Sequence, residues 1–386
     1  MKETIKMKGK ERQICSRCIY DETVSGISFD EEGVCNYCRT MEKLLQEYGT
    51  GKPEGKKELD RIIDEIKNAG KGKKYDCIVG VSGGTDSSFL VAKLVEWGLR
   101  PLAVHYDNTW NTAIATENIK KVLNKLNVDL YTYVVDNKEV DDIFLSFLKA
   151  GVPEVDASTD LALAEVMYRA ASKYKVKYVI EGHSFVTEGI SPISNMYFDG
   201  KYIQSIHKTY GKMKMKTYPL MTFQHFMKWT VIKRIKKIRP FWYIDYSKEM
   251  ARNYLEKEFG WEYYGGHHLE NRIVAFQHCY HNYYKFGMDN RNLSLAAGVR
   301  SGLLDREETI KEYFYSEPYI EEGLVEYVKN RLKLSDDEFE EIMHLPNRRY
   351  TEFPTYKNRF KRLKPLFYIL AKKNLVPMSF YLKYTS

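Results

Sequence analysis

A chain of 386 residues has room for two or three domains, and 44% apolar against 29% charged residues is the balance of a folded protein with an ample core. The formal charge of +8, from 60 Lys and Arg against 52 Asp and Glu, is too small for this length to demand a nucleic-acid partner by itself. Residues 1–8 contain no apolar stretch of a signal peptide, and no run approaches the ~20 apolar residues of a membrane span, so a soluble, cytoplasmic protein is expected.

Four of the six cysteines fall near the start, as Cys15-x-x-Cys18 and Cys35-x-x-Cys38. In a reducing compartment such hooks read as metal ligands, not disulfides. Two CxxC hooks at this spacing predict a tetrahedral structural Zn²⁺ site, with an iron–sulfur cluster as the alternative. Four protein ligands would leave no open position for catalysis. Residues 19–34 carry turn material at Ser25-Gly26 and Glu31-Glu32-Gly33, and are expected to form a small hairpin held by the metal. Residues 46–57, rich in Gly and Lys, read as a linker. Apolar positions 59, 62, 63 and 66 predict a helix behind it. The expected organisation is a zinc-binding module over 1–48, a linker and helix over 49–74, an α/β domain over 75–200, and a basic, mainly helical region over 201–386.

The stretch Val79-Gly80-Val81-Ser82-Gly83-Gly84-Thr85-Asp86-Ser87-Ser88 joins an apolar strand to a helical pattern. Glycines at the turn allow close approach of a ligand, and the helix start presents unpaired N–H groups that suit a phosphate. Ser82, Thr85, Ser87 and Ser88 add hydroxyls. No Lys follows the glycines, so this is not the GxxxxGK[ST] loop of common triphosphatases. It matches SGGxDS, and so resembles the PP-loop of the ATP pyrophosphatase superfamily. Ser82 to Ser88 would then hold ATP by its pyrophosphate end, with Asp86 binding a bridging Mg²⁺.

Strands and helices alternate from here: strands 76–81, 101–106, 130–135 and 177–180, with helices over 86–97, 112–126, 140–148 and 160–173, the last capped by Ser158 or Thr159. This predicts a parallel sheet with helices on both faces. Ligands of such sheets sit at the carboxyl ends of strands. That rule gathers the loop, His105-Tyr106-Asp107-Asn108 and Gly182-His183 with Glu188 around one site. Asp107 reads as a ribose acceptor or a strand-end cap. His183 reads as a donor to phosphate or to an activated oxygen. Residues 201–239 hold eleven Lys and Arg and no acid, interleaved with aromatics, which suits either a polyanion surface or a solvated basic face. Residues 348–386 form a second basic stretch, expected to pack back on the protein.

Gly265-Gly266-His267-His268-Leu269-Glu270-Asn271-Arg272 is the second constellation. His267, His268, Glu270 and Arg272 read as acid–base or substrate-binding groups, or else as a polar helix start capped by Glu270. His278, His281, Cys77 and Cys279 read as structural.

In order, CxxC…CxxC, SGGTDSS, EGHSFVTEG, GWEYYGGHHLENRIVAFQ and FGMDNRNLSLAAGVRSGLLDREETI resemble the N-acetyl sugar amidotransferase family of PP-loop enzymes, over about residues 12–315. This sequence reads Gly266-His267-His268-Leu269-Glu270-Asn271 where that family is closer to GGKHxES, and Asp289-Asn290-Arg291 where it has DKR. The resemblance implies that ATP adenylates the oxygen of an N-acetyl group on a nucleotide-sugar. Ammonia then displaces AMP and leaves an acetamidino group, in bacterial surface-glycan biosynthesis. No glutaminase signature is present. The resemblance therefore implies ammonia from a separate glutaminase–synthase pair, HisH-like and HisF-like, and no nucleic acid. The alternative is a tRNA-modifying PP-loop enzyme of the thiolase type.

Overall fold

The computed structural model describes residues 3–7, 10–189, 196–265, 269–372, 375–376, 380–381 and 384–385. Its centre is a five-stranded, all-parallel sheet. The strands are β3 (Cys77–Gly80), β4 (Pro101–Asp107), β5 (Leu130–Val134), β6 (Tyr178–Ile180) and β7 (Lys236–Ile238), in the order β5-β4-β3-β6-β7. β1 (Glu3–Met7) and β2 (Lys10–Ile14) form a separate antiparallel hairpin.

Alternation along the strands divides the core in two. Cys77, Val79 and Ala103 point to a layer built from α2 (Pro53–Ala69), α3 (Thr85–Glu96), α4 (Ala113–Leu126) and the helix Lys248–Phe259. Ile78, Leu102, Val104 and Tyr106 point to a layer built from α5 (Asn137–Ala150), α6 (Ala157–Lys173) and α8 (Gly200–Tyr210). Both faces are therefore covered, as the βα alternation predicts.

Several local expectations change. The hairpin precedes the first CxxC hook. Between the hooks, residues 19–34 form no hairpin of their own, and isolated bridges tie Ile14 to Asp21 and Phe29 to Cys35. Residues 46–57 are largely helical: α1 (Asn36–Tyr48) ends at Gly49, and α2 begins at Pro53, a residue suited to a first helical turn. Helix α6 starts at Ala157 with Asp156 at its N-cap, ahead of Ser158. β7 lies in the basic stretch, where Lys-Lys-Ile hides a strand. Such charges are common at a sheet edge.

The basic stretch is also less bare than its sequence suggests. Lys236 pairs with Glu65 at 2.7 Å, and Lys237 and Arg239 both pair with Glu181. On α8, Tyr202, Ile203 and Ile206 are buried. Beyond it, Glu139 of α5 pins residues 216–218: its carboxylate accepts the backbone N–H groups of Lys216, Thr217 and Tyr218 at 2.8 to 3.1 Å, and the Thr217 hydroxyl at 3.2 Å. Glu139 is 3% exposed. Glu139→Ala would strand these donors and cost about 3 kcal/mol of stability, read as a lowered melting temperature. A melt that matches the wild type would show that this clamp adds nothing. No helix among the described residues is long and apolar enough to cross a membrane.

Candidate active site

Strand β3 leads directly into the Ser82–Ser88 turn, and α3 leaves it. Gly83 has φ +83°, and a Cβ there would lie 2.1 Å from the Ala115 carbonyl oxygen. Its own carbonyl accepts the Trp261 indole N–H at 3.0 Å, so the chain around Trp261 is anchored on the loop. A Cβ on Gly84 would sit 2.9 Å from the Tyr264 hydroxyl and 3.0 Å from Glu270 Oε1. Only glycine keeps that space open. The loop is held internally: Ser82 N–H donates to Ser87 Oγ, and Gly84 N–H donates to Ser82 Oγ, both at 3.2 Å.

The segment after Gly266 reaches the loop through backbone pairing. Asn111 and Asn271 form an antiparallel bridge. Thr112 N–H donates to the Glu270 carbonyl at 2.9 Å, and Arg272 N–H donates to the Trp110 carbonyl at 3.0 Å. This bridge joins the turn after β4 to a stretch 160 residues away in sequence. It puts Glu270 Oε1 within 3.2 Å of Ser82 Oγ, which donates to it.

Asp86 occupies the first turn of α3. The Tyr246 hydroxyl donates to it, and Lys248 lies 3.2 Å from Asp86 and 3.9 Å from Glu188. Burial alone would raise the Asp86 carboxyl, but the Lys248 ammonium and the hydrogen bonds with Tyr246 and Glu188 together outweigh it, and the group lies below its ordinary range. Asp86 and Glu188, two carboxylates that share the Lys248 ammonium, are the residues that would hold a Mg²⁺ here, where it would supply charge neutralisation.

His183 follows β6. Its Nδ1 accepts the Trp242 indole N–H at 3.2 Å, which leaves Nε2–H as the donor, 3.7 Å from Glu188. Burial, aided by Arg239, pushes its pKa down to about 3, so it is neutral at physiological pH. Next to it, burial would raise Glu181, yet Lys237 and Arg239 outweigh burial and bring its pKa down to about 2. A carboxyl depressed in the folded state stabilises above its unfolded value near 4 and loses that contribution as pH falls toward 2.

These groups surround a cavity of about 430 Å³. This is within the size of ordinary small-molecule sites. Ser82, Gly84, Asp86, Ser87, Gly182, His183, Glu188 and Glu270 line it. Gly83, Thr85, Ser88, Asp107 and Arg272 do not. Asp107 caps its own turn by accepting the Thr109 N–H at 2.7 Å, as a strand-end cap does. Arg272 turns away to stack over Tyr327 and pair with Glu321 at 3.7 Å. His267 and His268 lie outside the described residues. A second, smaller cleft of about 180 Å³ lies at the β7 edge, lined by Arg61, Glu65 and Lys236, away from the loop.

Sequence reasoning missed the far end of the cavity, where Glu154, Asp156, Thr159, Asp160, Gln277 and His278 line the wall. Only their polarity signals them, and polar residues near a helix start are common. Here Glu154 is 1% exposed. Its Oε1 accepts the Tyr197 N–H at 3.3 Å, and its Oε2 lies 3.1 Å from the Tyr202 hydroxyl. Burial pushes its pKa up to about 7. A raised carboxyl gives stability that is complete below its unfolded value and lost as pH rises through 7. Glu154→Gln reproduces the neutral acid. Between pH 5 and 8 the wild type should lose on the order of 3 kcal/mol that the variant retains. Parallel pH dependence of the two melts would contradict this.

The four cysteines of the hooks converge. All four Sγ atoms lie within 4.8 Å of one another, with separations of 3.6 to 3.8 Å between Cys35 and Cys38, Cys15 and Cys38, and Cys18 and Cys35. A tetrahedral ion with ~2.3 Å metal–sulfur bonds requires edges of about 3.8 Å, so a single ion fits. A four-iron cluster places a different iron under each thiolate and would spread them further. Arg300, at the end of the helix Arg291–Arg300, brings Nε to 3.3 Å from Cys38 Sγ and Nη2 to 3.3 Å from Cys18 Sγ. It offsets the charge of the thiolates. The next residue, Ser301, donates its hydroxyl to the Val186 carbonyl at 2.7 Å, in the short helix α7 (Phe185–Glu188).

Comparison with known proteins adds three observations. Residues 270–366 match a family model described as LPS biosynthesis protein WbpG-like, C-terminal domain. The chain is 33% identical over 171 residues to the uncharacterized protein MJ1599 of Methanocaldococcus jannaschii, an alignment covering 44% of this chain and 58% of that protein. It thus spans less than two thirds of that relative's length. Among solved structures, it is similar to the NH3-dependent NAD synthetase of Campylobacter jejuni, with 14% identity, a TM-score of 0.31, and coverage of 77% of this chain and 93% of that one. It is likewise similar to the U34-tRNA thiolase NcsA of Methanococcus maripaludis with its 4Fe-4S cluster, with 12% identity, a TM-score of 0.33, and coverage of 84% and 99%. The SGGTDSS turn and the five-stranded parallel sheet give the chain a PP-loop type of fold, and the matched segment begins beside that turn.

Proposed function

We propose that the protein is an ATP-dependent, AMP-forming amidotransferase that converts an N-acetyl group of a nucleotide-sugar to an acetamidino group. One observation carries this reading: the segment that opens the WbpG-like match, Glu270 and Asn271, is bridged to the turn after β4, and from there Glu270 Oε1 reaches to 3.2 Å from Ser82 Oγ of the loop. The acceptor-binding part of the chain and the phosphate-binding part then share one cavity.

The chemistry needs both. An amide oxygen is a poor leaving group. Attack of that oxygen on the α-phosphorus of ATP forms an O–P bond, breaks the bond to the β-phosphate oxygen, and releases pyrophosphate. Ammonia then adds to the activated carbon and AMP departs. The Ser82–Ser88 turn and the start of α3 would receive the pyrophosphate, and Asp86 and Glu188 would hold Mg²⁺. A bound Mg²⁺ supplies charge neutralisation on the phosphates. His183 Nε2–H can donate to a phosphate oxygen. Enclosure keeps water from the activated carbon. Zn²⁺ at the four cysteines would be structural. Ammonia would come from a HisH-like and HisF-like pair.

A thiolase-type reaction on tRNA is the competing reading. Among the described residues, neither Cys77 nor Cys279 lines the cavity, and burial pushes the Cys279 thiol up to about 11. That favours an oxygen-to-nitrogen exchange over sulfur chemistry. The test is mass spectrometry of UDP-linked N-acetylhexosamines after incubation with ATP and ¹⁵N-ammonium. The expected product has lost one oxygen and gained one labelled NH. Activity confined to tRNA with a sulfur donor would replace this reading with the other.

A further inference from the structure

Four side chains behind the loop form one hydrogen-bonded chain whose direction is set at both ends by backbone groups. At one end, Trp110 N–H donates to Asn108 Oδ1 at 3.1 Å, so that atom is the oxygen. Asn271 Nδ2 must then be the donor to it, at 2.9 Å, and it also donates to Asn111 Oδ1 at 2.9 Å. Asn111 Nδ2 faces His105 Nε2 at 3.4 Å. At the other end, His105 Nδ1 lies 2.8 Å from the Val81 carbonyl and donates to it. His105 Nε2 is therefore an acceptor, as Asn111 requires. No amide can be reversed without setting two donors or two acceptors against each other.

This leaves two atoms over. Asn108 Nδ2, a donor, and Asn271 Oδ1, an acceptor, have no hydrogen-bond partner among the described residues. The reciprocal bond that would join them is not made. Asn108 is 1% exposed and Asn271 9% exposed, and both line the 430 Å³ cavity. Buried polar atoms left without partners in a native site call for an explanation, and a ligand is one.

We propose that Asn108 and Asn271 are a donor–acceptor pair that reads a secondary amide, and so form the subsite for the acetamido group. The inference rests on the proposed function and adds the residues that select the reacting group. Asn271 Oδ1 accepts the amide N–H. Asn108 Nδ2 donates to one lone pair of the amide oxygen and leaves the other for phosphorus. As the O–P bond forms, positive charge builds on the amide nitrogen and its N–H becomes a stronger donor. The Asn271 bond therefore tightens toward the transition state, which is where a binding interaction accelerates a reaction. A free amine offers no carbonyl oxygen, and an ester offers no N–H. Either would leave one asparagine atom unpaired, which is how a polar site rejects near-isosteres.

The test uses Asn108→Asp and Asn271→Ser in the full chain. Asn108→Asp retains the Oδ1 that serves Trp110 and Asn271, and replaces the unpaired donor by a carboxylate oxygen. Asn271→Ser removes the unpaired acceptor together with the amide donor to Asn108 and Asn111. Calorimetric titration compares UDP-linked N-acetylhexosamines with their free-amine counterparts, and α,β-methylene-ATP serves as the nucleotide probe. The wild type should prefer the N-acetyl compounds by about tenfold or more, and each variant should lose most of that preference while binding the nucleotide as before. Three results would overturn the proposal: a preference that survives both substitutions, a wild type indifferent to the acetyl group, or variants that lose the nucleotide as well or instead. Product formation separates this inference from the parent reading. Selective binding without an acetamidino product keeps the subsite and removes the reaction; product with unaltered selectivity in the variants does the reverse.

Discussion

Asp86→Asn should abolish pyrophosphate release, lowering the rate by about a thousandfold or more. The side chain keeps its shape and can still accept from Tyr246, so the loss would come from charge. Asp86 and Glu188 are two carboxylates that share Lys248, at 3.2 and 3.9 Å. With Asn at 86 the Lys248 ammonium loses its nearer carboxylate, and a divalent cation held by Asp86 and Glu188 would lose one of its two charged ligands. Removing one partner of a buried ion pair also costs folding free energy, so the melting temperature should fall by several degrees. Rates are therefore compared well below the melt, per folded molecule. Ser82→Ala provides a second reading, since it removes a loop hydroxyl and the contact to Glu270 without touching charge. If Asp86→Asn kept a tenth of wild-type activity, the loop would not be holding the pyrophosphate as described.

Stripping the metal should have the largest effect on stability. The cysteine module packs through Ile14, Ile19, Tyr20 and Val34 against Ala296, Val299 and Ile310, with Ile27, Phe29 and Tyr37 only partly buried around the four cysteines. Structural zinc in small modules contributes on the order of 10 kcal/mol or more. Chelation, or Cys35→Ser with Cys38→Ser, should raise amide exchange across residues 14–38 by about a hundredfold or more while the β3–β6 core stays protected. One zinc per chain should be found by elemental analysis. Four irons per chain would contradict the 3.6 to 3.8 Å sulfur separations, and unchanged exchange after metal removal would show that the module folds alone.

What could be read in the sequence was what is local. The Ser82–Ser88 turn, the four strands β3 to β6 and the two cysteine hooks are each written within a few residues. Gly83 and Gly84 mark their own turn, and each hook puts its two thiolates on one bend. The rest depends on distant partners. β7 is a strand because its Lys236 and Lys237 find Glu65 and Glu181, neither of which is near in sequence. Asp107 and Arg272 are plausible ligands by type, yet Asp107 serves its own turn and Arg272 is drawn to Glu321 and Tyr327. Asn108 and Asn271 are ordinary residues until a two-residue bridge, 160 positions apart, sets their amides against each other. His278 has a face toward the cavity that no spacing rule foretells.

The end of the helix Arg291–Arg300 touches both centres. Arg300 lies against two thiolates, and Ser301 holds the Val186 carbonyl, two residues before Glu188. Binding free energies are state functions, so any influence between two sites runs equally in both directions. Whatever metal loading does for the placement of Glu188, a ligand held at Glu188 would return to the metal. The affinity of the cysteines for an ion would then depend on occupancy at a site the ion never touches, and metal affinity measured with and without nucleotide would read that coupling without turnover.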